Sequence, residues 1–299
     1  MSKTTKWVLA ILGAFLLFFG LFIFSIISWF FSEPADESES FSGDRVAIVE
    51  LREPIIVSEN IVRQFKKYRE NSGIKAIVFR VESPGGGVSA SQEIYEEVKK
   101  TTEVKPVVVS MGSVAASGGY YVSVGATKIV ANPGTLTGSI GVILQFYHIQ
   151  ELMKKIGIDQ STFKSGKLKD IGSPFRKTTE EEKAYLQDLI MDVYDQFLHA
   201  VAVERDLAPE FVKKYADGRV FTGRQAYEYG FVDTLGTMQD AIKLAAELGG
   251  IKGKPKTVQE FKRLTFIERV VGDAASEVTK LRNEFLNQPI LQYRFTSPQ

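Results

Sequence analysis

The amino-acid sequence predicts an α/β fold with a mostly parallel sheet, preceded by one transmembrane helix. Short β-branched runs alternate with helical segments, and glycine-rich turns follow the runs at the spacing of βαβ units. Residues 7–31 form a separate run of 25 residues without a formal charge. At about 1.5 Å per residue, a helix over this run is roughly 37 Å long, which is enough to cross a bilayer.

The charges on either side of this run predict its orientation. Lys3 and Lys6 precede it, whereas the residues that follow, from 33 to 39, carry four carboxylates and no cation. The positive-inside rule therefore places residues 1–6 in the cytoplasm and the body of the chain on the outer side. Residues 32–44 are acidic and serine-rich, which predicts a solvated linker.

A cleaved signal peptide is the competing interpretation of this N-terminal run. Such a peptide has an apolar region of about 7–15 residues and ends at a small-residue cleavage site. The run here is longer, and it ends in the sequence Ser-Trp-Phe-Phe at residues 28–31. We therefore expect an uncleaved membrane anchor.

The composition excludes several classes of function. Lys and Arg number 37 against 36 Asp and Glu, a net charge of +1, so no basic excess indicates a nucleic-acid partner. Cysteine is absent, which excludes disulfides, thiolate catalysis and cysteine-based metal sites. The only histidines are His148 and His199, so a histidine-rich metal site is disfavoured. We expect no metal and no cofactor.

The elements of the domain follow from hydrophobic runs and from the signals that start and stop helices. Glycine or proline separates most of them, and three glutamates in the first turn favour a long helix that begins near residue 178. Strands are predicted at 45–51, 74–81, 105–111 and 128–131, and helices at 55–69, 88–99, 145–156, 178–205, 209–215 and 237–248. A long polar loop is predicted at 161–174.

Residues 251–299 are predicted to form a C-terminal helical tail. Glycines at 249, 250 and 253 loosen its junction with the domain, and apolar residues recur at helical spacing between 267 and 285. Either packing on its own domain or a contact in an oligomer accounts for this pattern.

Two glycine-rich turns follow neighbouring predicted strands. One is Ser-Pro-Gly-Gly-Gly at 83–87, and the other contains Ser117 followed by Gly118 and Gly119. Because parallel strands end at the same edge of a sheet, we expect the two turns to meet there. Ser117 would then be a nucleophile at a helix N-terminus, with backbone N–H groups beside it for an oxyanion.

Two simpler interpretations compete with this one. Ser117 as a helix N-cap is the commoner use of such a serine. A phosphate-binding loop is the other alternative, but neither turn has the spacing or the terminal Lys-Ser/Thr of a P-loop.

A serine nucleophile also needs a base, and the residues alone do not select one. His148 lies in an aromatic segment and His199 on an apolar helix face, which are typical of packed or surface histidines. A desolvated lysine can replace histidine. Lys164, Lys167 and Lys169 lie in one loop, and all three remain candidates on chemistry alone.

Six motifs together resemble the signal peptide peptidase A family, in its short bacterial form. This is serine peptidase family S49, whose fold is Clp-protease/crotonase-like, built of repeated ββα units. The motifs are Ser-Pro-Gly-Gly-Gly at 83–87, Ala-Ala-Ser-Gly-Gly-Tyr-Tyr at 115–121, Gly-Thr-Leu-Thr-Gly-Ser-Ile-Gly at 134–141, Lys-Asp-Ile-Gly-Ser-Pro-Phe at 169–175, Gly-Arg-Val-Phe-Thr-Gly-Arg-Gln-Ala at 218–226 and Gly-Phe-Val-Asp at 230–233. The resemblance covers residues 45–250, the expected Ser/Lys peptidase domain.

The resemblance implies a role for five residues. Ser117 matches the nucleophile, Lys169 the general base, and Ser139 the serine that orients this lysine. The N–H groups of Gly118 and of one glycine among 85–87 match the oxyanion hole, and we favour Gly86. Lys164 and Lys167 do not align with the base.

The resemblance also implies partners and a location. It predicts a membrane-anchored endopeptidase of the bacterial cell membrane that degrades cleaved signal peptides and other short or unfolded peptides. The short form assembles as a homo-oligomer, an octamer, in which the lysine of one protomer reaches the serine of its neighbour. A crotonase-like acyl-CoA enzyme and a non-catalytic membrane scaffold are the alternative functions.

Overall fold

We analysed a computed structural model, which describes residues 7, 12–13, 15–25, 43–260 and 292–295. The chain divides into two units, residues 1–42 and residues 43–299. In the first unit residues 15–25 are helical, and their large apolar side chains are exposed. Among the described residues, no helix combines the length and the apolar character that a membrane crossing requires. Most of the predicted anchor and linker lies outside the described residues.

The second unit contains an eight-stranded, mostly parallel sheet. Its main path runs β7-β6-β4-β2-β1-β9, with β5 beside β4 and β8 beside β5, and the pair β6–β7 is antiparallel. These strands are β1 (Arg45–Leu51), β2 (Ile74–Ser83), β4 (Val107–Ala116), β5 (Lys128–Ala131), β6 (Leu136–Gly138), β7 (Val220–Thr222), β8 (Thr234–Leu235) and β9 (Lys256–Gln259). Two further strands, β3 (Gly85–Gly87) and β10 (Gln292–Arg294), form a separate antiparallel pair.

Eight helices of the described domain connect or cover these strands. They are α1 (Glu59–Glu70), α2 (Val88–Thr102), α3 (Gly118–Val124), α4 (Gln150–Lys155), α5 (Glu180–Glu204), α6 (Pro209–Tyr215), α7 (Gly223–Glu228) and α8 (Met238–Leu248). Capping boxes begin α5, α7 and α8, at Thr179, Thr222 and Thr237 respectively. Local sequence signals therefore start these three helices.

The strands are buried because helices cover both faces of the sheet. On one side the small residues Ala241 and Ala245 of α8 allow this helix to approach Val78 and Val108 closely. On the other side α1 packs its aromatic face on β2, and the rings of Phe65 and Phe79 meet edge to face at 5.1 Å.

A bulge in β4 leads the chain toward the candidate site. The first half of β4 pairs with β5 and the second half with β6, and the register against β2 shifts between Val81 and Ser83. Glu82 satisfies the backbone at this shift, because its carboxylate accepts hydrogen bonds from the N–H groups of Ser113 (2.9 Å) and Val114 (3.1 Å). The strand then continues to Ala116 and ends at Ser117.

The structure corrects two predicted helices. The helix predicted at 55–69 begins only at Glu59, because the N–H and C=O of Ile55 bond to Gly85 and Gly87. The helix predicted at 145–156 is confined to α4.

Two strands, β9 and β10, lie in the predicted C-terminal helical tail, beyond the predicted domain boundary at residue 250. Residues of β9 add to the edge of the main sheet beside β1, and those of β10 pair with β3. Both pairings are long-range, so no local pattern signals them. The apolar spacing at 267–285 lies outside the described residues.

A buried ion pair fastens the end of α5 to β5 and generates a prediction about stability. Arg205 donates to Asp233 at 2.9 Å, and only 9% and 18% of the two side chains are exposed. Burial alone would raise the pKa of Asp233, but Arg205, the Ile129 amide and Lys128 outweigh burial and hold this pKa below its usual value.

We expect Asp233→Asn to lower the free energy of unfolding by about 3 kcal/mol near neutral pH, because Arg205 is left buried without its counter-charge. A carboxylate whose pKa is lower in the folded protein than in the unfolded chain stabilises the fold fully at pH values above its unfolded-state pKa of about 4. This stabilisation is lost as the pH falls through the folded-state pKa. The difference in free energy of unfolding between wild type and Asp233→Asn should therefore become smaller in acid.

Urea unfolding followed by circular dichroism across this pH range measures both effects. Asp217→Asn is the matched control, because Asp217 pairs with Arg219 at the surface and should matter much less. The prediction would be contradicted if both variants lost the same free energy of unfolding, or if the difference between wild type and Asp233→Asn did not depend on pH.

Candidate active site

Ser117 occupies the sharp turn between β4 and α3. Its backbone lies at φ 54° and ψ −116°, a conformation that non-glycine residues rarely adopt, and its side chain does not cap the helix. The surrounding structure holds this turn through two backbone bonds, from the Ser117 N–H to Gly138 O (2.7 Å) and from the Tyr121 N–H to Ser117 O (2.8 Å). The N-cap interpretation of Ser117 is therefore wrong, and the turn has the form in which nucleophilic serines are presented.

The glycine-rich turns that follow β2 and β4 are in contact. This agrees with the expectation that parallel strands bring both turns to the same edge of the sheet. A Cβ added at Gly85 would lie 2.6 Å from the amide nitrogen of Gly118, and one added at Gly118 would lie 3.1 Å from the amide nitrogen of Gly86. Any side chain at Gly85 or Gly118 would therefore separate the turns. As the first residue of α3, Gly118 has an N–H group without an intrahelical partner.

Of the three glycines of β3, only the middle one directs its N–H toward β10. Gly87 donates to Ile55 O at 2.7 Å, and Gly85 donates to the Ser83 hydroxyl at 3.2 Å. Because successive residues of a strand point their N–H groups to opposite edges, the N–H of Gly86 faces the edge that carries β10. The geometry thus separates Gly86 from its two neighbours.

Ser117 and Ser139 line one cleft of about 600 Å³. Ser139 follows β6 with φ 50°, and its N–H donates to Arg219 O at 2.8 Å. The long helix α5 forms one wall of the cleft with Gln187, Ile190, Met191 and Tyr194. Two of the five predicted site residues, both serines, therefore border the same space, beside the contact between Gly86 and Gly118.

Lys169 lies outside this cleft. It is exposed, in a turn of a long arm that spans residues 144–178 between β6 and α5. The base of the arm is fixed by Arg176, which donates to Asp170 at 2.7 Å and also pairs with Glu182 of α5. The arm presents apolar side chains to solvent, with Tyr147 81% and Phe163 97% exposed.

The three lysines of the arm differ in their partners. Lys164 pairs with Asp170 at 2.5 Å, and Lys167 pairs with Glu181. Arg176, and next Lys164, hold the pKa of Asp170 below its usual range. Within the described part of the chain, no ion pair engages Lys169. Of the three, only Lys169 has no carboxylate partner there.

Sequence reasoning missed another lysine, Lys213 of α6, which lines the cleft with Ser117. No motif marks it, and it reaches the cleft only because α6 folds back against α5. His148 and His199 are both exposed and lie outside the cleft lining. Among the described residues, no group of three potential metal ligands is present.

Comparisons with known proteins agree with this geometry. The family model described as peptidase family S49 matches residues 99–252, and the one described as Clp protease matches residues 44–135. The protein of Synechocystis sp. named "Putative protease slr0021" is 44% identical over 224 residues, which cover 74% of this chain and 80% of the relative.

Two further relatives carry more specific names. The Enterococcus faecium protein "Putative signal peptide peptidase SppA" is 42% identical over 185 residues, covering 62% of this chain and 54% of its own length. "Serine protease SPPA, chloroplastic" of Arabidopsis thaliana is 35% identical over 210 residues, covering 70% of this chain and 31% of its own length. The matched region thus spans about half of the Enterococcus protein and about a third of the Arabidopsis protein.

The matched family models confirm the predicted Clp-protease-like α/β fold with its mostly parallel sheet. The S49 model covers the turn with Ser117, the cleft serine Ser139 and the arm with Lys169. The chain belongs to peptidase family S49 and is a serine peptidase.

Proposed function

We propose that this serine peptidase is a membrane-anchored endopeptidase in which Ser117 and Lys169 form a Ser-Lys dyad. The observation that carries the proposal is the strained turn that presents Ser117 to the cleft beside two backbone N–H groups. We assign these donors to Gly118 and Gly86. Membership of a serine peptidase family favours peptide hydrolysis over acyl-CoA chemistry and over a scaffold without activity.

The proposed reaction proceeds through an acyl-enzyme. The neutral amine of Lys169 removes the proton from the Ser117 hydroxyl as its Oγ attacks a peptide carbonyl, and the N–H groups of Gly86 and Gly118 stabilise the oxyanion. The C–N bond then breaks, and the leaving amine takes the proton from the lysine. Water, activated by the same lysine, hydrolyses the ester and restores Ser117. Ser139 accepts or donates a hydrogen bond that orients the amine.

We propose that Lys169 acts on the serine of a second copy of the chain. Three features support this: Lys169 is exposed, it lies outside its own cleft, and the arm that carries it exposes large apolar side chains. A homo-oligomer, an octamer by resemblance, would bury these side chains and complete each site. The monomer would then be inactive.

Lys213 is the competing base, because it lines the cleft of its own chain. It is exposed, and no ion pair to the described residues holds it. A site complete within one chain would use Lys213 and would not need an oligomer.

We expect Ser117→Ala and Lys169→Ala each to lose activity on an apolar, signal-peptide-like substrate by at least about 10³-fold, because each removes a group that the first bond-making step requires. Mixing the two variants should restore part of the activity, since a wild-type lysine then meets a wild-type serine in some sites. Hydrolysis rates of the separate and mixed variants are the measurement.

Lys164→Ala and Lys167→Ala are matched controls from the same loop and should keep most of the activity. Loss of activity in Lys213→Ala, with Lys169→Ala active, would assign the base to the same chain. Activity should also fall with decreasing pH, because an ammonium group cannot accept the serine proton, and a rate independent of pH would contradict a lysine base.

We expect Gly118→Ala to lower kcat by about 10²–10³-fold with a small effect on KM, because its Cβ would lie 2.8 Å from the Ser91 hydroxyl and 3.1 Å from Gly86 N and would displace both oxyanion donors. Steady-state kinetics and a melting curve measure the effect and check the fold. Gly134→Ala is the control, because no atom lies within 4 Å of its added Cβ. A kcat near wild type in Gly118→Ala would contradict the assignment.

We propose that residues 7–31 anchor the enzyme, with residues 1–6 in the bacterial cytoplasm and the domain on the outer side. The support is the uncharged run and the exposure of its apolar side chains at 15–25. The substrates we propose are cleaved signal peptides, which the name of the Enterococcus relative mentions, and other short or unfolded peptides.

We expect the full chain to stay with membranes after washing with high salt and with alkaline carbonate, and a chain that begins at Asp44 to be released. Apolar burial in lipid survives both washes, whereas electrostatic attachment does not. Immunoblots of the membrane and soluble fractions measure this. Release of the full chain by salt alone would contradict the anchor.

A further inference from the structure

Lys169 lies in a series of tight turns that fixes its backbone locally. Its N–H donates to Gly166 O at 3.2 Å, and the Ser173 N–H donates to Asp170 O at 3.1 Å. Each bond joins residues three apart in the sequence, so these turns stabilise one another. The position of the turns relative to α5 depends on contacts that reach outside them.

The residue that follows Lys169 is held by Arg176 at both its side chain and its backbone. The Nε and Nη2 atoms of Arg176 donate to the two carboxylate oxygens of Asp170 at 2.8 and 2.7 Å, and Nη2 also donates to the Asp170 carbonyl oxygen at 3.1 Å. A bidentate pair of this kind fixes orientation as well as distance, because the guanidinium group is planar. Arg176 therefore fixes the residue that is bonded to Lys169.

The same guanidinium group also contacts the first turn of α5. Its Nη1 donates to Glu182 at 2.8 Å, and its Nη2 forms a second bond with the same carboxylate. Glu182 in turn accepts a hydrogen bond from the Thr179 N–H at 2.9 Å, in the capping box that begins α5. Arg176, and next the Thr179 amide, lower the pKa of Glu182 to about 2, so this carboxylate stays charged at neutral pH. The bridge from Asp170 to α5 is therefore made of charged partners.

An exposed ion pair joins the same turn to α5. Lys167 pairs with Glu181, and 70% and 62% of the two side chains are exposed, whereas the Arg176 bridge ends on Glu182, whose side chain is 4% exposed. Exposed pairs of this kind contribute little, because water screens them and two long side chains must be ordered. The bridge through Arg176 is therefore the stronger link between the turn and α5.

We propose that Arg176 is a positioning residue for Lys169, which it holds in place for a second copy of the chain by joining Asp170 to the first turn of α5. The proposal rests on the proposed dyad between two copies, and it adds the residue that places the lysine. Arg176 lies outside the described lining of its own cleft. Its effect should therefore pass through the lysine of the chain that carries it.

We expect Arg176→Ala to lower kcat by about 10–100-fold with little change in KM, because a displaced base slows proton transfer while the cleft that binds the peptide is unchanged. Arg176→Lys should recover part of the activity, since it keeps the charge but loses the planar fork. Lys167→Ala is the matched control, because it removes the exposed link between the same two elements and should keep most of the activity. Steady-state kinetics on the full chain and melting curves measure these effects.

Co-expression of two inactive variants assigns the effect to one chain. In assemblies of Ser117→Ala and Lys169→Ala chains, the first chain supplies the lysine and the second supplies the serine of each rescued site. Arg176→Ala added to the Ser117→Ala chain should lower the rescued rate about 10–100-fold, as in the wild-type background. The same change added to the Lys169→Ala chain should leave the rescued rate unchanged, which also shows that Arg176→Ala folds and assembles.

The outcomes separate the role of Arg176 from the proposed function. An equal loss in the two co-expressed pairs, a loss only with the Lys169→Ala chain, or a wild-type kcat in Arg176→Ala would overturn the positioning role and leave the dyad in place. Absence of rescue in the parent pair would overturn the dyad between copies and this proposal with it. Failure of the wild type to cleave any peptide, together with failure of a serine-reactive phosphonate to label Ser117, would count against the peptidase function itself.

Discussion

The contact between two glycine-rich turns is the constraint on which the rest of the site depends. Gly85 and Gly118 approach so closely that a Cβ on either would meet the backbone of the other turn. This approach brings the first N–H of α3 beside the N–H of Gly86 and leaves Ser117 between them and the cleft. The bulge in β4 supports the same contact between the turns. Glu82 accepts a hydrogen bond from the shifted part of β4 and so fixes the position of Ser117 at the end of that strand. If these two N–H groups are the oxyanion donors, as proposed, they are in position before a substrate arrives.

The parts that could be predicted from the sequence are those with local signals. Strands β1, β2, β4 and β5 are β-branched runs, and three glutamates open α5, so the starts of these five elements were predicted within a few residues. The meeting of the two turns also followed from one rule, that parallel strands end at one edge. Ser117 and Ser139, which line one cleft, were proposed as site residues because their motifs resemble a known family, whereas chemistry alone left the N-cap interpretation of Ser117 open.

The parts that could not be predicted depend on long-range pairing or on a second molecule. No sequence pattern in β9 or β10 indicates the strand with which each pairs. Their partner strands, β1 and β3, lie more than a hundred residues earlier in the chain. Lys213 reaches the cleft only through the packing of α6. The choice of Gly86 over its neighbours required the hydrogen bonds of Gly85 and Gly87, which no sequence displays. A single chain shows where Lys169 lies, but it does not bring this lysine into the cleft that Ser117 lines.

The site therefore divides into a rigid part and a peripheral part with different tasks. The proposed nucleophile and the proposed oxyanion donors lie on buried strands and on the fully buried helix α3, where small displacements are costly. The proposed base lies outside the main sheet, on the arm that spans residues 144–178. A peptidase whose reactive serine is permanently in place needs its control elsewhere. If the base comes from the exposed arm of a second copy, as proposed, activity depends on assembly.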